Sequence, residues 1–135
     1  MIVVDTNLVA NLLLGGTGEA VARAVLHRDH EWVAPLLWRS EFRNVLAGQV
    51  RRRNITFTDA ERAAAHAEKL LSGREHVVRS PDVLRWVARS KLSAYDCEFV
   101  ALAEHLKLPL VTTDREILDS CPSIATTPTA FADRE

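Results

Sequence analysis

Ile2-Val3-Val4-Asp5-Thr6-Asn7-Leu8-Val9-Ala10-Asn11-Leu12-Leu13-Leu14-Gly15-Gly16 reads as a short apolar strand, a carboxylate, and a helix with a stop. Ile2 to Val4 is the strand, Thr6 to Leu14 the helix, and Gly15-Gly16 the terminator. Asp5 therefore ends a strand and opens a helix. In open parallel sheets, ligands bind beyond the carboxyl ends of the strands. A carboxylate buried at such a place costs several kcal/mol unless it is paired or holds a cation.

The same alternation continues along the chain. Glu19 to Arg28 reads as a helix and Glu31 to Ala34 as a strand, with Pro35 in the first turn of a long helix reaching about Arg53. Thr58-Asp59-Ala60-Glu61 has the spacing of a capping box, and Gly73 supplies the stop. Glu75 to Val78 is a third strand. Ser80-Pro81-Asp82 opens a helix through about Ser90, and Ser93-Ala94-Tyr95-Asp96 opens another through about Leu106. Leu108 to Thr112 is a fourth strand, Asp114 to Asp119 a short helix, and Ile124 to Thr126 a fifth strand. Short strands alternating with helices predict an α/β fold with a parallel sheet of four or five strands covered on both faces.

Three further acids stand in comparable places. Asp114 follows the fourth strand as Asp5 follows the first. Asp96 begins a helix and shares a face with Val100 and Ala103, while Glu41 shares one with Asn44 and Val45. Taken singly, each is readily a helix cap or a solvated charge. Two strand-end aspartates together with two inward acids are harder to explain so. Carboxylates this close would raise one another's pKa unless a cation intervened. Oxygen ligands, with no histidine or cysteine read among them, select Mg²⁺ or Mn²⁺ over zinc.

The totals fit this picture. At 135 residues the chain predicts one domain, 1–135, with a core of its own. A formal net charge of −1 excludes a protein that is basic overall. Cys97 and Cys121 lack CxxC spacing and read as isolated thiols of a reducing compartment. With no basic leader and no apolar run near the ~18 residues of a membrane span, the expectation is a complete cytoplasmic chain.

Val3-Val4-Asp5-Thr6-Asn7, Glu41 with Asn44, Tyr95-Asp96 followed by Phe99-Val100-Ala101-Leu102-Ala103, and Leu110-Val111-Thr112-Thr113-Asp114 together resemble a PIN-domain ribonuclease, most closely the VapC toxins of toxin–antitoxin pairs. The resemblance spans essentially the whole chain. It implies a PIN-like three-layer sandwich and a Mg²⁺- or Mn²⁺-dependent endoribonuclease with Asp5, Glu41, Asp96 and Asp114 as metal ligands. Thr6, Asn7, Asn44 and Thr113 would support them. One departure is Ile117, where the family often has an aromatic residue, and the parts of Glu116 and Asp119 stay open. The resemblance also implies RNA as substrate, a VapB-like antitoxin laid across the cleft, and a homodimer. Hydrolysis would leave a 5′-phosphate and a 3′-hydroxyl.

An acidic site needs basic surroundings to receive a polyanion. Arg39 and Arg43 share a helix face beside Glu41 and are the candidate RNA contacts, with Arg51 to Arg53 either a solvated run or a further phosphate contact. Trp32, Trp38 and Trp86 read as packing residues first, with base stacking the alternative. His27, His30, His66, His76 and His105 read as surface or packing residues. Val21, Val25, Leu36, Leu37 and Leu46 offer apolar surface to a partner. Other functions stay open: a receiver-like phosphoacceptor module, though no lysine follows Lys107; a haloacid-dehalogenase-like phosphatase, though Asn7 stands where its second aspartate belongs; and a catalytically inactive PIN-like binding module.

Overall fold

The computed structural model describes all of residues 1–135. In chain order the elements are β1 (Ile2–Val4), α1 (Thr6–Leu14), α2 (Glu19–Arg28), β2 (Trp32–Pro35), α3 (Leu37–Arg51), α4 (Phe57–Leu70), β3 (Glu75–His76), α5 (Ser80–Arg89), α6 (Ala94–Leu106), β4 (Leu110–Val111), α7 (Arg115–Ser120), β5 (Ala125–Thr126) and α8 (Pro128–Ala132). The five strands form one sheet in the order β3-β2-β1-β4-β5, and every pairing is parallel.

Ile2, Val3 and Val4 are all buried although successive strand residues face opposite sides, so the sheet is covered on both faces. Full burial of each such side chain stabilises the fold by about 1.5–3 kcal/mol. α6 packs against β1, β2 and β4, while α1 joins α2, α3 and α4 in a separate helical layer. Trp32 and Trp38 lie in the core and bond their indole N–H groups to Asp29 O and Glu75 Oε2, both at 2.8 Å. They are packing residues.

β1 pairs with β4 so that Val4 lies beside Val111, and the Asp5 amide continues the ladder with a 3.3 Å bond to Val111 O. Parallel pairing thus fixes Asp5 and the residues after Val111 on one edge of the sheet. α1 ends where Gly15 adopts φ 80°, a left-handed conformation that suits glycine.

Four local expectations shift. Pro35 ends β2 instead of opening α3, which begins at Leu37. Pro35 still pairs with His76 of β3, whose ladder uses the amides of Ala34 and Leu36, and with no N–H to donate towards β1 it ends the β1–β2 ladder. The capping box is Thr56 with Asp59, not Thr58 with Glu61: Asp59 N–H donates to Thr56 Oγ1 and Thr56 N–H to Asp59 Oδ2, each at 3.0 Å. Both stretches fit the pattern, and the earlier one captures the helix start. β3, β4 and β5 are each only two residues long, and the helix α8 was not read from the sequence.

Candidate active site

Asp5 is the centre of the arrangement. It is 7% exposed and caps α1, accepting Leu8 N–H on Oδ1 at 2.8 Å. Its second oxygen, Oδ2, accepts the Thr112 hydroxyl at 2.5 Å. Burial pushes the Asp5 carboxyl up from its ordinary value, against the bonds from Thr112, Leu8 and the Thr113 amide, and the Asp114 charge adds to the rise.

The other acids arrive from three helices. Glu41 projects from α3, half-buried, and accepts the Thr6 hydroxyl at 2.8 Å. Burial raises its pKa most, the Thr6 bond opposes this, and the Asp96 charge adds to the rise. Asp96 lies in the first turn of α6, its amide donating to the cap Ser93 Oγ at 3.1 Å. Burial again raises its pKa, with the charges of Asp114 and Glu116 in the same direction and Ser93 against. Asp114 caps α7, accepting Ile117 N–H at 3.1 Å, and its own amide donates to Thr112 Oγ1 at 3.0 Å.

The four carboxylates line one cleft of about 60 Å³ together with Thr6, Asn7, Phe99 and Ile117. None of them takes part in an ion pair. Three are shifted toward the neutral form by burial and by one another, so the negative charge is uncompensated. The donor set is oxygen alone and suits a hard divalent cation. It is not preassembled: no three acidic, histidine or cysteine groups are placed, as they stand, to hold one ion. A larger groove of about 530 Å³, lined in part by Glu104, Lys107, Ile124 and Arg134, gathers no comparable set of acids.

The supporting residues divide. Thr6 is buried and bonded to Glu41, and Asn7 is exposed at the cleft. Asn44 is exposed and does not line the cleft, and Thr113 contributes its amide while its side chain faces solvent. Thr112, immediately before it, carries the hydroxyl that matters, and a sequence reading could have found it as the polar end of an otherwise buried strand. Glu98, two residues past Asp96 on α6, is half-buried and lines a separate pocket with Val78 and Tyr95; burial and the Glu41 charge push its carboxyl up. Glu116 acts on Asp96 only by charge, and Asp119 is exposed outside the cleft. Cys97, next to Asp96, is buried with its thiol 3.9 Å from Ser90 Oγ, not turned to the acids.

The candidate RNA contacts Arg39 and Arg43 differ in how firmly they are held. Arg39 is held by Glu75 through two bonds, Nε to Oε2 at 2.6 Å and Nη2 to Oε1 at 2.7 Å, and by Glu68 at 2.7 Å. Arg43 lies on the same face, 3.9 Å from Glu68. Two residues along an α-helix turn about 200°, so both point away from the side that carries Glu41. Among the apolar residues offered to a partner, Val25 and Leu46 are buried in the core, whereas Leu36 is 45% exposed. The five histidines are exposed or half-buried, and none lines the cleft.

A protein-family model described as PIN domain matches residues 2–120. Ribonuclease VapC9 of Mycobacterium tuberculosis is 34% identical to this chain over 128 residues, covering 90% of this chain and 95% of the relative. The fold is similar to that of FitAcB from Neisseria gonorrhoeae, with a TM-score of 0.75, 18% identity, and coverage of 96% of this chain and 99% of the other. It is also similar to a chain of a toxin–antitoxin complex from Klebsiella pneumoniae, with a TM-score of 0.67, 19% identity, and coverage of 95% and 98%.

Proposed function

The chain belongs to the PIN-domain family, among its VapC ribonucleases, and from that premise we propose that it is a divalent-cation-dependent endoribonuclease, the toxin of a toxin–antitoxin pair. The observation that carries this reading is the set of four unpaired carboxylates on one cleft at the sheet edge. Asp5, Glu41, Asp96 and Asp114 would hold Mg²⁺ or Mn²⁺. Such an ion supplies Lewis acidity, a more acidic water and relief of charge at the phosphoryl group.

The chain's own residues do the rest. Leu8 N–H and Thr112 fix the Asp5 carboxylate, Thr6 fixes Glu41, and the first turn of α7 fixes Asp114. Phe99 and Ile117 form the apolar lining beside the acids and limit the water there. Arg115, exposed and outside any ion pair one residue past Asp114, takes the phosphate-contact role that the sequence assigned to Arg39 and Arg43.

The 1–135 unit acts as a homodimer that a VapB-like antitoxin inhibits by covering the cleft. Leu84 (60% exposed), Val87 (36%) and Tyr95 (64%) supply apolar surface for such contacts. No single helix is long and apolar enough to cross a membrane.

The test is RNA cleavage by the purified chain with Mn²⁺, with Mg²⁺ and with EDTA, with chemical typing of the new ends. Cleavage restricted to the cation-containing reactions, leaving 5′-phosphates, supports the reading. Undiminished cleavage in EDTA, or none in either cation, contradicts it. Light scattering of the purified chain tests the dimer.

A further inference from the structure

We propose that Thr112 is a positioning residue of the acidic cleft: its one hydroxyl aims the Asp5 carboxylate and anchors the Asp114 backbone beside it, so that both acids are held for the same cation. The proposal rests on the cation-dependent reading above.

Thr112 is fully buried at the end of β4 and 107 residues from Asp5 in sequence. Its Oγ1 makes two bonds within the site. It donates its proton to Asp5 Oδ2 at 2.5 Å and accepts Asp114 N–H at 3.0 Å. A hydroxyl has one donor and two acceptor lone pairs, and a backbone amide can only donate. The direction of both bonds is therefore fixed: the proton belongs to Asp5 and a lone pair to Asp114.

The consequences for each acid are specific. Leu8 N–H holds Asp5 Oδ1 at 2.8 Å, so with Thr112 on Oδ2 the carboxylate is pinned at both oxygens, each keeping lone-pair capacity. Asp114 is pinned at its amide by Thr112 and at Oδ1 by Ile117 N–H. One oxygen atom thus belongs to the restraints on two different ligands, one after β1 and one after β4. Strand pairing places the two backbones on the same edge, but it does not set how the side chains turn. For Asp5 the hydroxyl does.

Thr112→Val keeps the shape and the strand preference and deletes both bonds, while Thr112→Ser keeps the hydroxyl. The measurement is Mn²⁺ binding to the metal-free full-length chain without RNA, by isothermal titration and by the Mn²⁺ electron paramagnetic resonance signal. Thermal melts report folding, and Asp96→Asn serves as the ligand control. Thr112→Val is expected to weaken Mn²⁺ binding about 10–100-fold, the range for loss of an outer-shell partner. Thr112→Ser is expected to bind as wild type does. Raising Mn²⁺ should restore much of the RNA cleavage lost in Thr112→Val, a rescue that a general folding defect does not allow. Should Thr112→Val not fold, Thr112→Cys carries the comparison, because its thiol is near serine in size but a weak hydrogen bonder; it should bind Mn²⁺ less tightly than Thr112→Ser. Wild-type affinity in Thr112→Val, or equal affinities in Thr112→Cys and Thr112→Ser, overturns the role of Thr112 while leaving the cation site intact. A wild-type chain that binds no Mn²⁺ overturns the cation reading and this inference with it.

Discussion

The Thr6 hydroxyl donates to Glu41 Oε1 at 2.8 Å, joining two residues 35 positions apart. The bond ties the first turn of α1, which follows β1, to the second turn of α3. It also holds the one acid of the cleft that has no strand end or helix cap to locate it. Helix phase turns Glu41 inward, and Thr6 decides where its carboxylate rests.

Thr6→Val should therefore release Glu41 with little disturbance of the core. A lost hydrogen bond of this kind costs about 1 kcal/mol, and a drop in Tm of a few degrees is expected from thermal melts. Cation-dependent cleavage should fall by more than that, about 10–100-fold at limiting Mn²⁺, with Thr6→Ser close to wild type. Equal activity of Thr6→Val and wild type across a Mn²⁺ titration would remove Thr6 from the site's machinery.

The pH dependence of the metal-free chain follows from the raised carboxyls. Asp5, Glu41 and Asp96 hold their protons more tightly in the fold than the ordinary values of 3.8 for aspartate and 4.5 for glutamate. A raised acid contributes stability that is complete below its unfolded value and is lost as pH rises through the folded one. Denaturant unfolding of the metal-free chain should show this loss above pH 4, and Mn²⁺ or Mg²⁺ should reverse it near neutrality. Asp96→Asn, which removes one of the crowded charges, should raise the metal-free Tm and lose the cation effect. A Tm that is insensitive to both pH and cation in wild type would contradict the electrostatic picture.

Much of this was legible in the sequence for a physical reason. Ile2 to Val4 is apolar throughout, Gly15 needs a left-handed turn, and Ser93 caps a helix whose inward stripe runs from Asp96 through Val100 to Ala103. Such local signals fix elements and the phase of side chains. Parallel pairing of β1 with β4 and the inward phase of α3 and α6 then set Asp5, Glu41, Asp96 and Asp114 on one cleft. What sequence could not supply was pairing across distance. Arg39 looked free because its partners, Glu68 and Glu75, lie 29 and 36 residues away. Thr112 and Thr113 are equivalent as letters, and only strand pairing shows which hydroxyl is buried against Asp5. Thr56 and Thr58 offered two overlapping caps, and the chain uses the first.

The arginines give a prediction that separates structural from functional charge. Arg39→Ala should lower Tm by breaking the bridge from α3 to Glu68 and Glu75, with the salt dependence of RNA binding unchanged. Arg115→Ala should leave Tm nearly unaltered, weaken RNA binding, and reduce the slope of log affinity against log salt by about 1. Fluorescence anisotropy with a labelled single-stranded RNA, in Ca²⁺ to limit cleavage, measures both. The reverse pattern would return the phosphate contact to Arg39.

The central claim is that the four carboxylates act together as the cation-dependent, RNA-cleaving centre, and the most direct measurement is the cleavage rate of Asp5→Asn and Asp96→Asn in saturating Mn²⁺. Asparagine can still accept Leu8 N–H at position 5, so the cap on α1 survives and circular dichroism should show wild-type folding for both variants. The expected result is folded protein with cleavage reduced at least 100-fold in each. Wild-type rates in both folded variants would contradict the assignment.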